Sequence, residues 1–284
     1  MTNRQATTIG ILYIVATPIG NREDITSRAL DTLKSVDLIL AEDTRHSMQL
    51  LNALGIKNKL QAFHAHNEND KTPAIIELLL GGKSIALISD AGTPLISDPG
   101  YPLVKQARMQ DICVVPIPGA CALITALSAS GLPCDSFLFN GFLPAKSSAR
   151  QSKLNALISD QHTLIFYEST HRILDCLDDI QAVYGETYEL VLAKELTKTF
   201  ERFISGTVTQ IKQWLLAEDG HTKGEFVLMI PPRAQSDLEN NHETLLKILL
   251  AELPLKQAVS IACKITNASK NELYELALTL KNNE

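Results

Sequence analysis

The chain has 284 residues, 45% of them hydrophobic, and a formal net charge of −6. That is longer than one typical domain and apolar enough for sizeable cores, so wholesale disorder is excluded and two domains plus a small appendage are expected. The acidic balance excludes nucleic-acid binding driven by counterion release alone, so such a partner must be met by a local patch or by shape.

Residues 10–16, GILYIVA, read as a short apolar strand followed by the loop Thr17-Pro18-Ile19-Gly20-Asn21, with Asp24 as the cap of a helix reaching about Lys34. Val36 to Ala41 is a second strand that runs directly into Glu42-Asp43-Thr44-Arg45-His46. Capping of the next helix by Asp43 or Thr44 accounts for one of these residues and leaves Glu42 and Arg45 unexplained. A weak strand near Lys59 to Phe63 carries His64 and His66, which read as a polar strand end rather than a metal site, because no third ligand follows in order. The helix from Lys71 to Leu80 stops at Gly81-Gly82. The Gly82-Lys83-Ser84 triplet is not a phosphate loop: Glu77 stands where the motif needs glycine, and a strand follows. That strand opens the stretch Ile85 to Gly100, IALISDAGTPLISDPG, whose apolar run predicts a buried parallel strand ending at Asp90. In such sheets ligands bind at the carboxyl ends of the strands. Asp90 and the Ala91-Gly92-Thr93-Pro94 turn therefore read as a ligand loop at that edge or as turn chemistry alone, and Ser97-Asp98-Pro99-Gly100 as turn and helix-start chemistry.

A helix from about Tyr101 to Met109, a strand from Ile112 to Pro116, the turn Pro118-Gly119-Ala120-Cys121-Ala122 and the small-residue helix ALITALSASG follow. We place a boundary near residue 118. Beyond it lie strands at Ser136 to Phe142 and Thr163 to Tyr167, the latter ending in Glu168-Ser169-Thr170-His171-Arg172, with Ser169 or Thr170 as cap of a helix to Tyr184. Tyr188 to Ala193 leads into Lys194-Glu195-Leu196-Thr197-Lys198, Phe200 to Ser205 can pair with it antiparallel, and Gly224 to Pro231 is a last strand, giving a mixed sheet. Lys146 to Arg150, with Arg172, is a candidate basic patch. After the polar linker SDLENNHE come three helices, Thr244 to Leu253, Lys256 to Lys264 and Asn271 to Leu280, the last behind a Ser269-x-x-Glu272 capping box. They read as a helix-turn-helix or as a small structural or dimer-contact bundle. The predicted units are 1–117, 118–232 and 233–284.

No apolar run reaches membrane-spanning length and the start MTNRQATTIG lacks a signal-peptide pattern, so a soluble cytoplasmic protein is expected. Cys113, Cys121, Cys134, Cys176 and Cys263 form no CxxC pair and read as reduced, buried thiols. Neither G-x-G-x-x-G, a Walker A motif nor triad spacing is present, which removes ordinary dinucleotide-binding enzymes, P-loop enzymes and serine hydrolases.

The strand-end motifs Thr17-Pro18-Ile19-Gly20-Asn21, Glu42-Asp43-Thr44-Arg45, Ser89 to Pro94, Ser97 to Gly100, Pro118-Gly119-Ala120, Phe166 to Ser169 with His171-Arg172, and Lys194 to Lys198 resemble, in this order, the tetrapyrrole-methylase fold. More narrowly they resemble its branch that methylates the ribose 2′-hydroxyl of a cytidine in the decoding region of 16S ribosomal RNA. The resemblance implies two α/β domains with a cleft between them plus a small helical, helix-turn-helix-like domain, S-adenosylmethionine as methyl donor, the 30S ribosomal subunit as partner, no membrane, and a homodimer. Position by position it implies cofactor contacts at Pro18, Asp90, Leu95, Ala120, Cys121, Ala122, Glu168 and Leu196, with no metal. Cys121 stands where relatives often carry Ser or Thr. The candidate bases are Glu42, Asp43, Glu168 and His171, and the candidate electrostatic stabilisers Arg45, Arg172 and Lys194. The working expectation is that Arg45 and Arg172 meet phosphate while Glu42 or Asp43 orients the hydroxyl. A small-molecule (porphyrinoid) methyltransferase on the same fold and a non-catalytic binding module are the alternatives.

Overall fold

In the computed structural model, residues 9–233, 235–266 and 268–282 are described, 235–241 and 282 by backbone alone. The first eight residues and Asn267, which the sequence assigns to the first unit and to a helix connection, lie outside the described residues. Strands β1 (Ile11–Val15), β2 (Leu38–Ala41), β3 (Leu60–Ala62), β4 (Ile85–Ile88) and β5 (Cys113–Ile117) form a parallel sheet in the order β3-β2-β4-β1-β5. Helices α1 (Ser27–Ser35) and α2 (Thr44–Ala53) cover one face, through Ala29, Leu33 and Leu51. Helices α3 (Glu68–Leu80) and α4 (Tyr101–Met109) cover the other, through Ile75, Leu79 and Leu103. With both faces dry, every residue of β4 is buried, which is why its sequence is apolar without alternation. The first helix begins later than the sequence suggests: Asn21 caps a single 3-10 turn over Arg22–Asp24, and Thr26, whose hydroxyl accepts the Ala29 N–H, caps α1.

The second sheet contains β6 (Phe137–Phe142), β7 (Thr163–Ser169), β8 (Glu189–Lys194), β9 (Arg202–Thr207) and β10 (Glu225–Ile230), in the order β6-β7-β10-β8-β9. Only β6 and β7 are parallel; β10 pairs antiparallel with both β7 and β8, so the sheet is mixed as the sequence predicts. Helix α5 (Ala122–Ala129) lies on one face, packing Leu123, Ala126 and Leu127 against Ile165, Val191 and Val227. Helices α6 (Ser147–Leu157), α7 (Ile173–Tyr184) and α8 (Val208–Ala217) bury Leu154, Leu177 and Ile211 on the other. Helix α8 has no counterpart among the elements expected from sequence, although the Thr207-x-x-Gln210 capping box at its start is a legible signal. Strand β7 runs two residues past Tyr167, and α7 opens behind Arg172 with no side-chain cap, so neither Ser169 nor Thr170 caps it. The Thr170 hydroxyl is instead tied to the Gly224 carbonyl and N–H.

The basic patch expected at Lys146 to Arg150 does not form at its end. Arg150 is 3% exposed, 2.6 Å from Asp179, and it donates to the carbonyls of Pro144, Ala145 and Asp175, so the guanidinium is a buried brace between α6 and α7. Asp179 also accepts from Ser147 and Gln151. Burial alone would raise its pKa, but the hydrogen bonds from Gln151, Ser147 and Arg150 outweigh it and hold the carboxyl below 3.8. Truncating one partner leaves a buried charge unpaired, so Asp179→Ala is expected to cost about 3–5 kcal/mol, read as a lowered urea midpoint. Since the folded pKa is depressed, this stabilisation is present above the unfolded value and is lost as pH falls through the folded one. The variant should therefore lack the acid-side fall in stability of the parent that this group produces.

At the C-terminal end α9 (Gln235–Glu252), α10 (Leu255–Thr266) and α11 (Lys270–Asn282) form the expected trio around Leu246, Val259, Ala262, Leu273 and Ala277. The polar run that reads as a linker is the start of α9. The five cysteines are unpaired, but only Cys176 is fully buried; Cys113 and Cys134 are exposed. No described helix is long and apolar enough to cross a membrane.

Candidate active site

Loops Thr17–Asn21, Glu42–Asp43, Ser89–Gly100 and Pro118–Cys121 leave β1, β2, β4 and β5 at the carboxyl edge of the first sheet. They are stitched to one another. Thr17 and Gly92 exchange backbone hydrogen bonds of 2.8 and 3.0 Å, and the Thr17 hydroxyl donates to the Ser89 carbonyl at 3.2 Å. The Thr93 hydroxyl donates to the Ala120 carbonyl at 3.0 Å, and Asp90 Oδ1 accepts the Asp43 N–H at 3.1 Å. Leu95 and Ser97 adopt φ of +71° and +70°, a left-handed backbone that costs a non-glycine residue about 1–2 kcal/mol and is held here by its surroundings.

The second sheet presents a matching edge. Because β7 and β8 are each antiparallel to β10, Glu168, the Lys194–Thr197 segment and Gly224 gather at one end. This edge docks on the first set of loops: the Asn21 N–H donates to the Thr197 hydroxyl at 3.0 Å. The Leu123 N–H at the start of α5 donates to the Tyr167 hydroxyl at 3.1 Å, supplying the cap that Cys121 does not. Between the two edges lies a cleft of about 470 Å³ with apolar walls at Ile19, Ile96, Phe142, Leu196 and Val227.

Asp90, Glu168 and His171, which the sequence places at strand ends, line this cleft, and so do Cys121, Ala122 and Leu196, which the resemblance implies as cofactor contacts. Pro18, Leu95 and Ala120 stand behind the lining. Pro18 is buried between bridged Thr17 and wall residue Ile19, Leu95 packs on the first core, and Ala120 anchors Thr93. Ser97 and Asp98, which read from the sequence as turn residues, line the cleft, as do Tyr167 and Thr170, which fall within sequence motifs but not among the site residues drawn from them, and Gly224, which no motif includes.

The site is acidic. Glu168 is 3% exposed; its Oε1 accepts the Ser169 N–H at 2.8 Å and lies 3.3 Å from Arg172 Nε, whereas Oε2 is buried without a hydrogen-bond partner among the described residues. A buried acceptor in a cleft, with no described protein group donating to it, is suited to a donor brought by a ligand. Burial, with the Asp90 charge adding to it, pushes Asp98 up to about 6 against a hydrogen bond from Ser89. Burial, then the charges of Asp98 and Asp90, also raises Glu42, which stands at the edge of this trio.

The remaining candidates are committed elsewhere. Asp43 caps α2 by accepting the Arg45 N–H at 2.8 Å and pairs with the Arg45 side chain at 3.0 Å, which holds its carboxyl at about 2. The Arg45 side chain itself is 89% exposed. Arg172 stands in an ion pair with Glu168, its Nε making no hydrogen bond among the described residues, and donates to the Leu143 carbonyl, so it is a paired rather than a free cation. Lys194 lines a different cleft, and the His64 ring is held by Asn67.

Residues 11–212 match the family of Tetrapyrrole (Corrin/Porphyrin) Methylases, and residues 236–281 match the RsmI C-terminal HTH domain. A protein of Haemophilus influenzae named Ribosomal RNA small subunit methyltransferase I is 54% identical over 275 residues, covering 95% of this chain and 96% of its own. The protein of the same name from Escherichia coli O157:H7 is 52% identical over 271 residues, covering 95% of both. Among solved structures, uroporphyrin-III-C-methyltransferase from Thermus thermophilus shares the fold at a TM-score of 0.55 and 21% identity, over 78% of this chain and 94% of its own. The cleft between two sheets, built from loops of the same order as the matched motifs, thus belongs to an S-adenosylmethionine-dependent methyltransferase of the tetrapyrrole methylase family with an appended RsmI-type helical domain.

Proposed function

We propose that the chain transfers a methyl group to the ribose 2′-hydroxyl of a cytidine in the decoding region of 16S ribosomal RNA, within the 30S subunit, as a cytoplasmic homodimer. The observation that carries this is the pairing of a methyl-donor cleft with the C-terminal helical domain, in one chain about half identical along 95% of its length to small-subunit rRNA methyltransferases. We also infer unit boundaries after residues 117 and 232, since each sheet and the helical trio buries its own core.

The residues present suit S-adenosylmethionine. The cleft has the size and apolar walls of a small-molecule site, and Asp90, Asp98 and Glu168 offer negative charge to a ligand with cationic sulfonium and ammonium groups. Gly92 and Ala122 keep the lining small at these points. When bound, this donor supplies an electrophilic methyl carbon for in-line displacement. The chain's part is to hold a hydroxyl in line with it and to take the proton. His171 lines the cleft mouth, is exposed, and is the base on this reading; Glu42, beside Asp90 and Asp98, orients the hydroxyl. Arg45, on the surface past the same loop, meets phosphate.

The acid trio gives a pH signature. A cationic ligand favours ionised Asp98, so S-adenosylmethionine affinity is expected to rise as pH increases through about 6, and Asp98→Asn to flatten that step in calorimetric titrations. Without ligand the sign for stability is opposite. A carboxyl whose folded pKa is raised binds protons more tightly in the native state, so stability falls as pH climbs from the unfolded value to about 6. The function itself is tested with labelled S-adenosylmethionine offered alongside 30S subunits, free 16S RNA or a porphyrinogen. A single methylated cytidine ribose in the 30S sample is expected; label only in the porphyrinogen would overturn the assignment.

A further inference from the structure

The second sheet holds another cleft, of about 500 Å³, lined by Lys194, Glu195, Phe200, Arg202, Trp214 and His221 among others. Lys194 ends β8 on the same face as Leu190 and Leu192, which pack towards α8, and is only 5% exposed. Its ammonium makes no hydrogen bond or ion pair with any described residue. The adjacent carboxylate, Glu195, is occupied by Lys198 Nζ at 2.8 Å and by the Glu225 N–H at 2.9 Å. Burial raises the Glu195 pKa, but the Lys198 hydrogen bond, the Glu225 N–H and the charges of Lys198 and Lys194 outweigh it, so Lys194 shares this carboxylate with Lys198 and leaves the lining with positive charge that can meet an anion. The other acid in the lining, Glu218, is exposed and faces His221 at 3.5 Å. Arg202 and Lys223 add positive charge.

The rest of the lining is aromatic. The Trp214 and His221 rings stack 3.7 Å apart at 8°, and Phe200 is 70% exposed. Cations beside aromatic rings, one of them exposed, are the chemistry that holds single-stranded RNA, phosphate by charge and base by stacking. This cleft also abuts the methyl-donor cleft. Gly224 lines both, and the turn after β8, with φ of +51° at Glu195 and +64° at Thr197, sends Leu196 into the first cleft and Glu195 into the second.

We propose that this second cleft binds a nucleotide neighbouring the methylated one, its phosphate on Lys194 with Arg202 and Lys223, and its base against Phe200 and the Trp214–His221 pair. The proposal rests on RNA being the substrate, and it supplies the local basic patch that an acidic chain needs.

Trp214 is the single tryptophan of the chain, so its emission reports on this cleft directly. Titrating single-stranded oligocytidylate RNA into the full-length protein is expected to quench that emission, less so as salt rises. Lys194→Met and Phe200→Ala should each weaken RNA binding by about tenfold or more, with S-adenosylmethionine affinity unchanged, and should raise KM for 30S subunits. Phe200 is exposed, so its truncation guards against a folding artefact at Lys194. An unquenched tryptophan, or RNA affinity unaltered in both variants, would sink the proposal even if 30S subunits are methylated. So would sedimentation showing that Phe200→Ala splits an oligomer without touching RNA affinity, since the face would then join two copies. Quenching that depends on Lys194, in a protein that leaves 30S subunits unmethylated, would uphold the cleft and overturn only the substrate assignment.

Discussion

Replacing Gly92 with valine is expected to abolish methyl transfer by closing the donor cleft, lowering S-adenosylmethionine affinity by on the order of 100-fold or more. Two effects coincide at this position. Its φ is +82°, a conformation that a β-branched residue adopts only at a cost of about 1–3 kcal/mol. A Cβ there would also stand 3.3 Å from Ile19 Cγ2 and 3.7 Å from the Ala120 carbonyl oxygen, at the seam where Thr17 and Gly92 exchange hydrogen bonds. The two effects separate with a control. Gly55 has φ +68°, and a Cβ on it would meet nothing within 4 Å, so the same substitution there should lower the melting temperature and leave calorimetric cofactor binding intact. Equal loss of binding in both variants would mean that strain alone, and not the cleft wall, is responsible.

The second large effect is expected at His171. On the proposed mechanism His171→Asn slows methylation of 30S subunits by about 10²–10⁴-fold while S-adenosylmethionine affinity stays at the parental level. The residue is exposed and outside any helix, so the fold has little to lose. A positioning role predicts a different pattern. Arg172→Lys should disturb Glu168 and so weaken cofactor binding together with turnover, because Arg172 acts through the carboxylate it holds. Normal single-turnover rates for His171→Asn would remove it as the base and return that role to Glu42.

The first sheet is legible in the sequence because a parallel strand covered on both faces is an uninterrupted apolar run, and each of its strands ends in loop chemistry that cannot be core. Ile85–Ile88 followed by Asp90 is the plainest case. Asp98 misleads because Asp before Pro and Gly serves turns equally well; only the fold back of the Leu95–Ser97 backbone brings it beside Asp90. Arg150 misleads for a related reason, since a cation in a polar run looks solvated until the distant Asp179 is placed against it. Lys194 sits on a strand whose two faces are both buried, so nothing local tells which cleft its side chain reaches. Gly224 and Thr170 gain their place from pairing between strands far apart in the chain, which no periodicity records.

The position of β10 sets an order on the birth of the site. It is the last strand of its sheet in the chain, yet it occupies the middle, between β7 and β8, which share no hydrogen bonds with each other. During synthesis the edges of β7 and β8 stay unpaired until residues 225–230 have emerged, a long-range closure that is slow and leaves strand edges exposed to wrong partners. Glu168 and Lys194 flank that same gap. A nascent chain ending before Glu225 therefore holds the whole donor loop of the first sheet and no functional cleft, and the enzyme becomes competent in one late step rather than by degrees.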